Sequence, residues 1–156
     1  EVVVADVFSN TLSPEDGAAL SVKLLREYGV EEPLWGIEDN EWGILTLKTA
    51  QSLGYRNLYN RDNDEDKPVG WHTDDKTRPV LWGMLVEAIR QRHVTVWNEE
   101  GLRQFYDVIR NPLKGGRIEA IAGGHDDYPF AVGGCLQIRQ PAHSDSARSV
   151  AVKGRW

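Results

Sequence analysis

The sequence predicts an α/β fold, in which a mixed or parallel sheet is flanked by helices. Two observations lead to this prediction. Short apolar runs of strand length alternate with longer segments of helical periodicity, and no internal repeat interrupts the alternation. A chain of 156 residues with 40% hydrophobic residues is long enough to bury a sizeable core.

The first predicted elements are a strand, EVVVADVF, and a helix, SPEDGAALSVKLLREYG. Ser13 is the predicted N-cap, Pro14 the first helical residue and Asp16 the acid of a capping box. Gly29 is predicted to end this helix. Its apolar stripe consists of Leu20, Leu24 and Leu25.

The middle of the chain predicts a strand, a helix and another strand. PLWGIEDN is a short apolar strand that ends in acid, EWGILTLKTAQSLGY is a helix closed by Gly54, and NLYNR is a strand. The acidic, turn-rich stretch DNDEDKPVG, residues 62–70, predicts a mobile loop. Asp39 and Glu41 are interpreted as a solvated helix start, Asp74 and Asp75 as turn and cap residues. His72 has no partner that the sequence identifies.

Three more helices follow. TRPVLWGMLVEAIRQRH has Pro79 in its first turn, and VTVWN after it is a strand or extended edge. NEEGLRQFYDVIRN is a helix with one apolar face, formed by Leu102, Phe105, Tyr106 and Ile109. RIEAIAGG leads to AGGHDDYPFAVGG, where a last helix starts at about Asp126 or Asp127. We predict a domain over residues 1–140, with Cys135 as a core hydrophobe of the last helix, and a loose tail over residues 141–156.

Composition excludes several classes of protein. The net charge of −6 argues against a generally basic nucleic-acid coat protein, although carboxylates that hold metal ions add negative charge to a nuclease. No apolar run approaches the roughly 20 residues of a membrane span, and no signal peptide is visible. A single cysteine excludes a disulfide framework, which fits an intracellular protein. The chain contains no P-loop motif.

Three carboxylates are placed where α/β proteins form sites. Glu38 lies at the predicted end of a strand, and Asp126 and Asp127 lie at the start of a helix. Oxygen ligands of this kind hold hard divalent cations, and two such cations about 4 Å apart hydrolyse phosphodiesters. One of the two aspartates is also explained as a plain helix cap. That these carboxylates converge in space is a hypothesis.

Three segments, taken in order, resemble the nuclease domain of the large terminase subunit of tailed phages and prophages. They are WGIEDNEWGILTLKTAQSLGYRNLY, KPVGWHTDDKTRPVLWGMLVEAI and GGHDDYPFAVG, and the resemblance extends to about Gln140. The family shows a strand ending in Glu followed by Asn and Gly, a Tyr-x-Asn-Leu-Tyr stretch, a Gly-Trp-x-Thr segment with a basic residue before a helix, and a closing His-Asp-Asp. The matching residues here are Glu38, Asn40, Gly43, Tyr55, Asn57, Leu58, Tyr59, Gly70, Trp71, Thr73, Lys76, Arg78, His125, Asp126 and Asp127.

The resemblance implies an RNase H-like fold with a central mixed sheet, and Mg²⁺- or Mn²⁺-dependent cutting of concatemeric double-stranded viral DNA by two metal ions. It implies that Glu38, Asp126 and Asp127 are catalytic metal ligands, with Asp126 the leading one. His125 then orients water or a phosphate, unless it is only a surface loop residue. The implied partners are an ATPase domain in the parent chain, the portal protein and the small terminase subunit, in the host cytoplasm without a membrane.

Two basic residues of the second segment are candidates for DNA contact. Lys76 and Arg78 contact phosphates in one interpretation, and only border a helix start in the other.

One family feature is missing. The family's first catalytic Asp lies on a first strand, upstream of a segment like EVVVADVFSNTLSPEDGAAL, and nothing here precedes that segment. Asp6 is a possible replacement, but it lies only 32 residues before Glu38 and on the wrong predicted strand. We therefore expect a chain that lacks the first strand, with an incomplete metal site. The alternatives are a non-catalytic docking module that binds portal or DNA, and another RNase H-like nuclease such as a junction resolvase. The Tyr-x-Asn-Leu-Tyr and Gly-Trp-x-Thr segments weigh against a resolvase.

Overall fold

The computed structural model of the protein describes residues 3, 6–9, 11–28, 31–61 and 66–145, with side chains up to residue 139. The described helices are α1 (Pro14–Glu27), α2 (Glu41–Ser52), α3 (Thr77–Arg90), α4 (Glu99–Asp107) and α5 (Asp127–Asp145). Strands β1 (Val108–Asn111) and β2 (Arg117–Ala120) pair antiparallel, with a 3₁₀ turn, Pro112–Lys114, between them. The predicted α/β class is confirmed in this sense: the protein mixes helices with a short antiparallel sheet.

The chain divides into two compact units. Residues 1–8 and 74–137 form the hairpin unit, named after β1 and β2, and residues 9–73 and 138–156 form the α1–α2 unit. Helix α5 continues five residues past the predicted domain boundary at residue 140. The rest of the predicted tail, residues 146–156, lies outside the described residues.

Helix α1 begins as its capping sequence predicts. The Ser13 hydroxyl accepts a hydrogen bond from the Asp16 backbone N–H (3.1 Å) and donates one to the Asp16 carboxylate (2.9 Å). The helix ends at Glu27, and Gly29 lies outside the described residues. The predicted stripe is wrong at Leu20, which is exposed, because α1 buries Ala18 and Val22 instead.

In the core of the α1–α2 unit, one face of α1 and one face of α2 pack against the extended segment that contains Ile37. The buried members of this core are Val22, Ile37, Leu47, Ala50 and Tyr55. Helix α2 ends as predicted, since Gly54 follows in the left-handed region (φ 78°), where glycine has no side chain to clash.

The predicted strands of this unit are present as short parallel bridges. Trp35 pairs with Leu58, and Glu38 pairs with Trp71, both in parallel. The Trp71 N–H donates to the Ile37 carbonyl (2.6 Å), and the Asp39 N–H donates to the Trp71 carbonyl (2.8 Å). An antiparallel bridge also joins Asn60 to Val69. It flanks the acidic stretch predicted as a mobile loop, of which residues 62–65 lie outside the described residues.

The predicted fourth helix is too long. Helix α4 ends at Asp107, and residues 108–111 form β1, which runs from the Val108–Ala120 pair to the Asn111–Arg117 pair. Tyr106 and Leu102 are exposed and Ile109 belongs to the strand, so the predicted apolar face is wrong at all three. Pairing with β2 satisfies the backbone of residues 108–111 outside the helix, which the local apolar spacing does not reveal.

The hairpin unit has its core between α3 and α5. Leu81, Leu85, Tyr128 and Val132 are buried, and a Cβ at Gly133 would lie 2.5 Å from Leu81 Cδ2. The close approach of α3 and α5 therefore depends on that glycine. Cys135 is exposed, so its assignment to the core is wrong.

Helix α3 begins after a turn and ends earlier than predicted. The Asp74 carboxylate accepts hydrogen bonds from the Lys76 and Thr77 N–H groups, both at 2.7 Å, so Asp74 forms the predicted turn, whereas the N-cap residue, Lys76, makes no side-chain cap hydrogen bond. Helix α3 ends at Arg90 and not at His93 as predicted. Of the predicted first strand, residues 1, 2, 4 and 5 lie outside the described residues, and the Val3 N–H donates to the Thr95 carbonyl. No helix among the described residues is long and apolar enough to cross a bilayer.

Candidate functional site

Glu38 lies in the α1–α2 unit, at the end of the extended segment that pairs with Trp71. Its half-buried carboxylate accepts a hydrogen bond through Oε2 from Asn40 Nδ2 at 2.9 Å. The same Asn40 side chain caps α2, because its Oδ1 accepts from the Gly43 N–H at 2.8 Å. Asn40 thus fixes the start of the helix and the orientation of Glu38 together.

Gly43 is required by a close approach. A Cβ at this position would lie 1.6 Å from the Glu38 carbonyl oxygen, which no side chain tolerates. Gly70, in the left-handed region at φ 112°, has a similar constraint, since a Cβ there would lie 3.0 Å from Asp39 Cβ. Glycines from two of the resemblance segments therefore allow the backbone around Glu38 to pack tightly.

Asp39 forms an ion cluster that the sequence did not reveal. Its carboxylate is paired with Arg61 and, at 2.9 Å, with His72 Nδ1, and its side chain is only 17% exposed. The interpretation of Asp39 as solvated is wrong, because partners 22 and 33 residues away enclose it. The only local signal was the position of Asp39 at a strand end next to Glu38.

The Tyr-x-Asn-Leu-Tyr residues hold the core of the α1–α2 unit. The Tyr55 hydroxyl donates to the Pro33 carbonyl at 2.5 Å, and Asn57 Nδ2 donates to the Glu32 carbonyl at 2.7 Å. Burial, with a smaller contribution from Glu32, raises the pKa of Tyr55 to about 12. These residues are structural within this unit.

Asp126 lies in the hairpin unit, directly before α5, and is paired with Arg78. Arg78 Nη2 is 2.5 Å from Asp126 Oδ2, and the two side chains are only 20% and 22% exposed. The guanidinium also lies against two aromatic rings, 5.7 Å from the Trp82 centroid and 5.2 Å from that of Phe130. Arg78 therefore holds Asp126 in a half-buried position.

Asp127 and His125 are more open. Asp127 is 82% exposed, His125 is 71% exposed, and His125 Nδ1 is 3.5 Å from an Asp127 carboxylate oxygen. The Tyr128 N–H donates to Gln104 Oε1 at 2.8 Å, so a glutamine from α4 satisfies a donor in the first turn of α5. Lys76, the other predicted DNA contact, is exposed at the N-terminus of α3.

Asp6 is engaged in the hairpin unit by two donors. Its Oδ1 accepts from Asn98 Nδ2 and its Oδ2 from the Tyr128 hydroxyl, both at 3.0 Å. Burial, and then the hydrogen bond to Asp6, raise the pKa of Tyr128. These contacts give Asp6 a structural role in positioning Tyr128, the residue after Asp127.

The candidate ligands belong to different units: Glu38 to the α1–α2 unit, Asp126 and Asp127 to the hairpin unit. Within the described residues, no group of three or more histidine, cysteine, aspartate or glutamate side chains is arranged to hold a metal ion. The convergence of the three carboxylates stays a prediction. In comparisons with known proteins, no protein-family model and no curated protein matches this chain.

Proposed function

We propose that this chain is the metal-dependent endonuclease domain of a phage or prophage large terminase subunit, with an RNase H-like fold. The proposal rests on the ordered resemblance segments, and one structural observation supports it most. Glu38 is served by the residues that accompany it in the resemblance: Asn40 orients its carboxylate, Gly43 admits its carbonyl, and Trp71 pairs with its backbone.

The chemistry of the candidate ligands suits Mg²⁺ or Mn²⁺, since all are carboxylate oxygens. One oxygen of Glu38 is oriented by Asn40 and one of Asp126 by Arg78, and neighbours of this kind orient metal ligands in proteins. In the proposal, Glu38 and Asp126 would hold the metal ions, with Asp127 as an accessory. The bound metal would supply activated water and stabilise the leaving oxygen.

The remaining roles belong to the protein's own side chains. Arg78 acts as a positioning residue for Asp126 in the proposal, because the carboxylate and two rings already occupy its guanidinium. Lys76 stays the candidate phosphate contact. His125, exposed beside Asp127, would orient water or a phosphate. The ATPase domain, portal and small subunit remain proposed partners of the parent protein.

The test combines metal binding with cutting. Mn²⁺ binding by electron paramagnetic resonance and relaxation of supercoiled plasmid in Mg²⁺ or Mn²⁺ are compared for the chain, Glu38→Gln and Asp126→Asn. The matched control is Glu41→Gln, since Glu41 is an exposed glutamate in the first turn of α2. We expect weak Mn²⁺-dependent cutting that both site variants abolish and the control retains.

Two results would overturn the endonuclease proposal: no Mn²⁺ binding by the chain, or cutting that survives in Glu38→Gln and Asp126→Asn. Duplex DNA binding without cutting at any Mn²⁺ concentration would instead support a docking module.

One observation favours that second candidate. The Arg78 guanidinium already supplies a positive charge to Asp126, which reduces the attraction of its carboxylate for a cation.

A further inference from the structure

A groove lined by basic side chains lies in the hairpin unit, and one of its lining residues, Arg78, is paired with the candidate ligand Asp126. The groove has a volume of about 850 Å³ and lies between one face of α3 and the β1–β2 hairpin. Its basic lining residues are Arg78, Arg90, Arg110, Lys114 and Arg117, and its acidic ones are Asp75 and Glu87. The lining side chains alone carry a net charge of +3, and the Asp126 and Glu119 carboxylates that pair with Arg78, Lys114 and Arg117 reduce it to +1. Five of the 18 basic residues of the chain therefore line one groove, with a small excess of positive charge.

The cations of the groove differ in how far they are neutralised. Arg78 is paired with Asp126, and Lys114 lies 2.8 Å from Glu119. Among the described residues, no ion pair involves Arg90 or Arg110, and both side chains are exposed. These two arginines are the ones with charge available for a ligand.

Backbone shape leaves room for an extended ligand. Gly83 on α3 and Gly115 at the hairpin turn both line the groove, and a Cβ on either would meet nothing within 4 Å. Gly115 adopts φ 63°, which a side chain disfavours, and its neighbour Gly116 adopts φ 83°. The groove is therefore open at Gly83 and Gly115.

The length of the groove sets the size of the occupant. Arg78 and Arg90 are twelve residues apart on α3, which corresponds to about 18 Å along the helix axis. Neighbouring phosphates of one B-DNA strand lie farther apart along the backbone than their rise of about 3.4 Å along the duplex axis, so this length accommodates only a few phosphates. Guanidinium groups suit such phosphates, because their planar fork donates two parallel hydrogen bonds.

We propose that this groove is a track for one strand of duplex DNA, and that Arg90 and Arg110 are its main phosphate contacts. Lys114 and Arg117 on the hairpin add weaker contacts in this proposal, since Glu119 competes for both. The choice of duplex DNA as the occupant rests on the proposed function. The charge complementarity that makes the groove bind a polyanion rests on the structure alone.

The experiment measures binding without cutting. Fluorescence anisotropy with a labelled 20-base-pair duplex is recorded in EDTA over a range of salt concentrations. The variant Arg90→Gln/Arg110→Gln removes the two contacts, and Arg90→Lys/Arg110→Lys keeps their charge. The control Arg56→Gln/Arg103→Gln removes the same charge from exposed positions outside the groove.

Each lost phosphate contact lowers the slope of log affinity against log salt by about 0.9. Losing two should lower it by about 1.8, which corresponds to roughly 60-fold weaker binding at 0.1 M salt if affinities meet at 1 M. The lysine variant should recover most of the affinity, and the control should bind within about threefold of the unmodified chain. Circular dichroism confirms that each variant is folded.

Equal weakening by the groove variant and the control would overturn the proposal, as would poly-glutamate binding as tight as duplex binding. The two proposals fail separately, because this assay contains no metal. If the chain cuts plasmid and the groove variant binds duplex DNA as tightly as the unmodified chain, the groove proposal alone is refuted. If duplex binding depends on the groove arginines but the chain does not cut, only the endonuclease proposal is refuted.

Discussion

Replacing Gly101 with alanine should destabilise the hairpin unit, because this glycine lies against the ring of Tyr128. A Cβ at position 101 would lie 2.6 Å from Tyr128 Cε2 and Cζ, about 1 Å inside ordinary contact. The ring has little freedom to retreat. Tyr128 is only 7% exposed, its ring packs edge-on to Phe8 and Phe105 at centroid distances of 5.7 and 6.4 Å, and its hydroxyl is bonded to Asp6.

The magnitude follows from two opposing effects. Overpacking of a core costs about 1–3 kcal/mol, and alanine in place of glycine returns up to about 1 kcal/mol of helix propensity in α4. We expect a net loss of about 1–2 kcal/mol in the free energy of unfolding. For a chain of this size, that corresponds to a Tm lower by about 2–8 °C.

The assay is thermal and urea unfolding, followed by circular dichroism and tryptophan fluorescence. Gly17→Ala is the matched control, because Gly17 lies within α1 and a Cβ there would meet nothing within 4 Å. That control should stabilise the protein by about 0.5–1 kcal/mol. If Gly101→Ala were as stable as the unmodified chain, the packing argument for Tyr128 would be refuted.

Two further predictions concern polar side chains. The Lys114 ammonium, and then the Asn111 amide, hold the pKa of Glu119 below its usual 4.5, so the folded state favours the ionised form. The stabilisation is therefore fully present above pH 4.5 and is lost as the pH falls through the lowered pKa. The urea midpoints of the unmodified chain and of Glu119→Gln should differ most near neutral pH and converge in acid. A difference that stays constant with pH would refute this prediction. Asn40→Ser should keep the cap of α2 but remove the donor to Glu38, leaving stability nearly unchanged and weakening Mn²⁺ binding about 10–100-fold. Asn98 caps α4 and donates to Asp6 in the same way, so Asn98→Ser is the control. This control variant should weaken Mn²⁺ binding only if Asp6 is a metal ligand.

Features set by neighbouring residues could be predicted from the sequence. Ser13 and Asp16 at the start of α1 and Gly54 after α2 follow from local hydrogen bonding or backbone freedom. The capping side chain of α2, Asn40, belongs to the same class. These elements need no information from distant parts of the chain.

Features set by distant residues could not be predicted. The apolar spacing of residues 102–109 is helical, but pairing with β2 takes residues 108–111 out of the helix. Asp39 looked solvated because its partners, Arg61 and His72, are remote in sequence. The sequence likewise predicted several longer strands where the described residues show isolated bridges, since pairing length depends on partners that periodicity does not specify.

The pair formed by Arg78 and Asp126 bears most directly on the choice between the two candidate functions. The Arg78 guanidinium, itself packed against Trp82 and Phe130, supplies a compensating positive charge to the half-buried Asp126 carboxylate. Asp126 is therefore stable in its position without a metal ion, and its geometry is fixed in advance of any ligand. For catalysis the metal would have to bind through the other oxygen, with Arg78 retained as a positioning residue, or displace a pair at 2.5 Å. The first arrangement keeps the ion pair, whereas the second would leave the guanidinium between the Trp82 and Phe130 rings without its anionic partner, so an active enzyme of this structure would use the first.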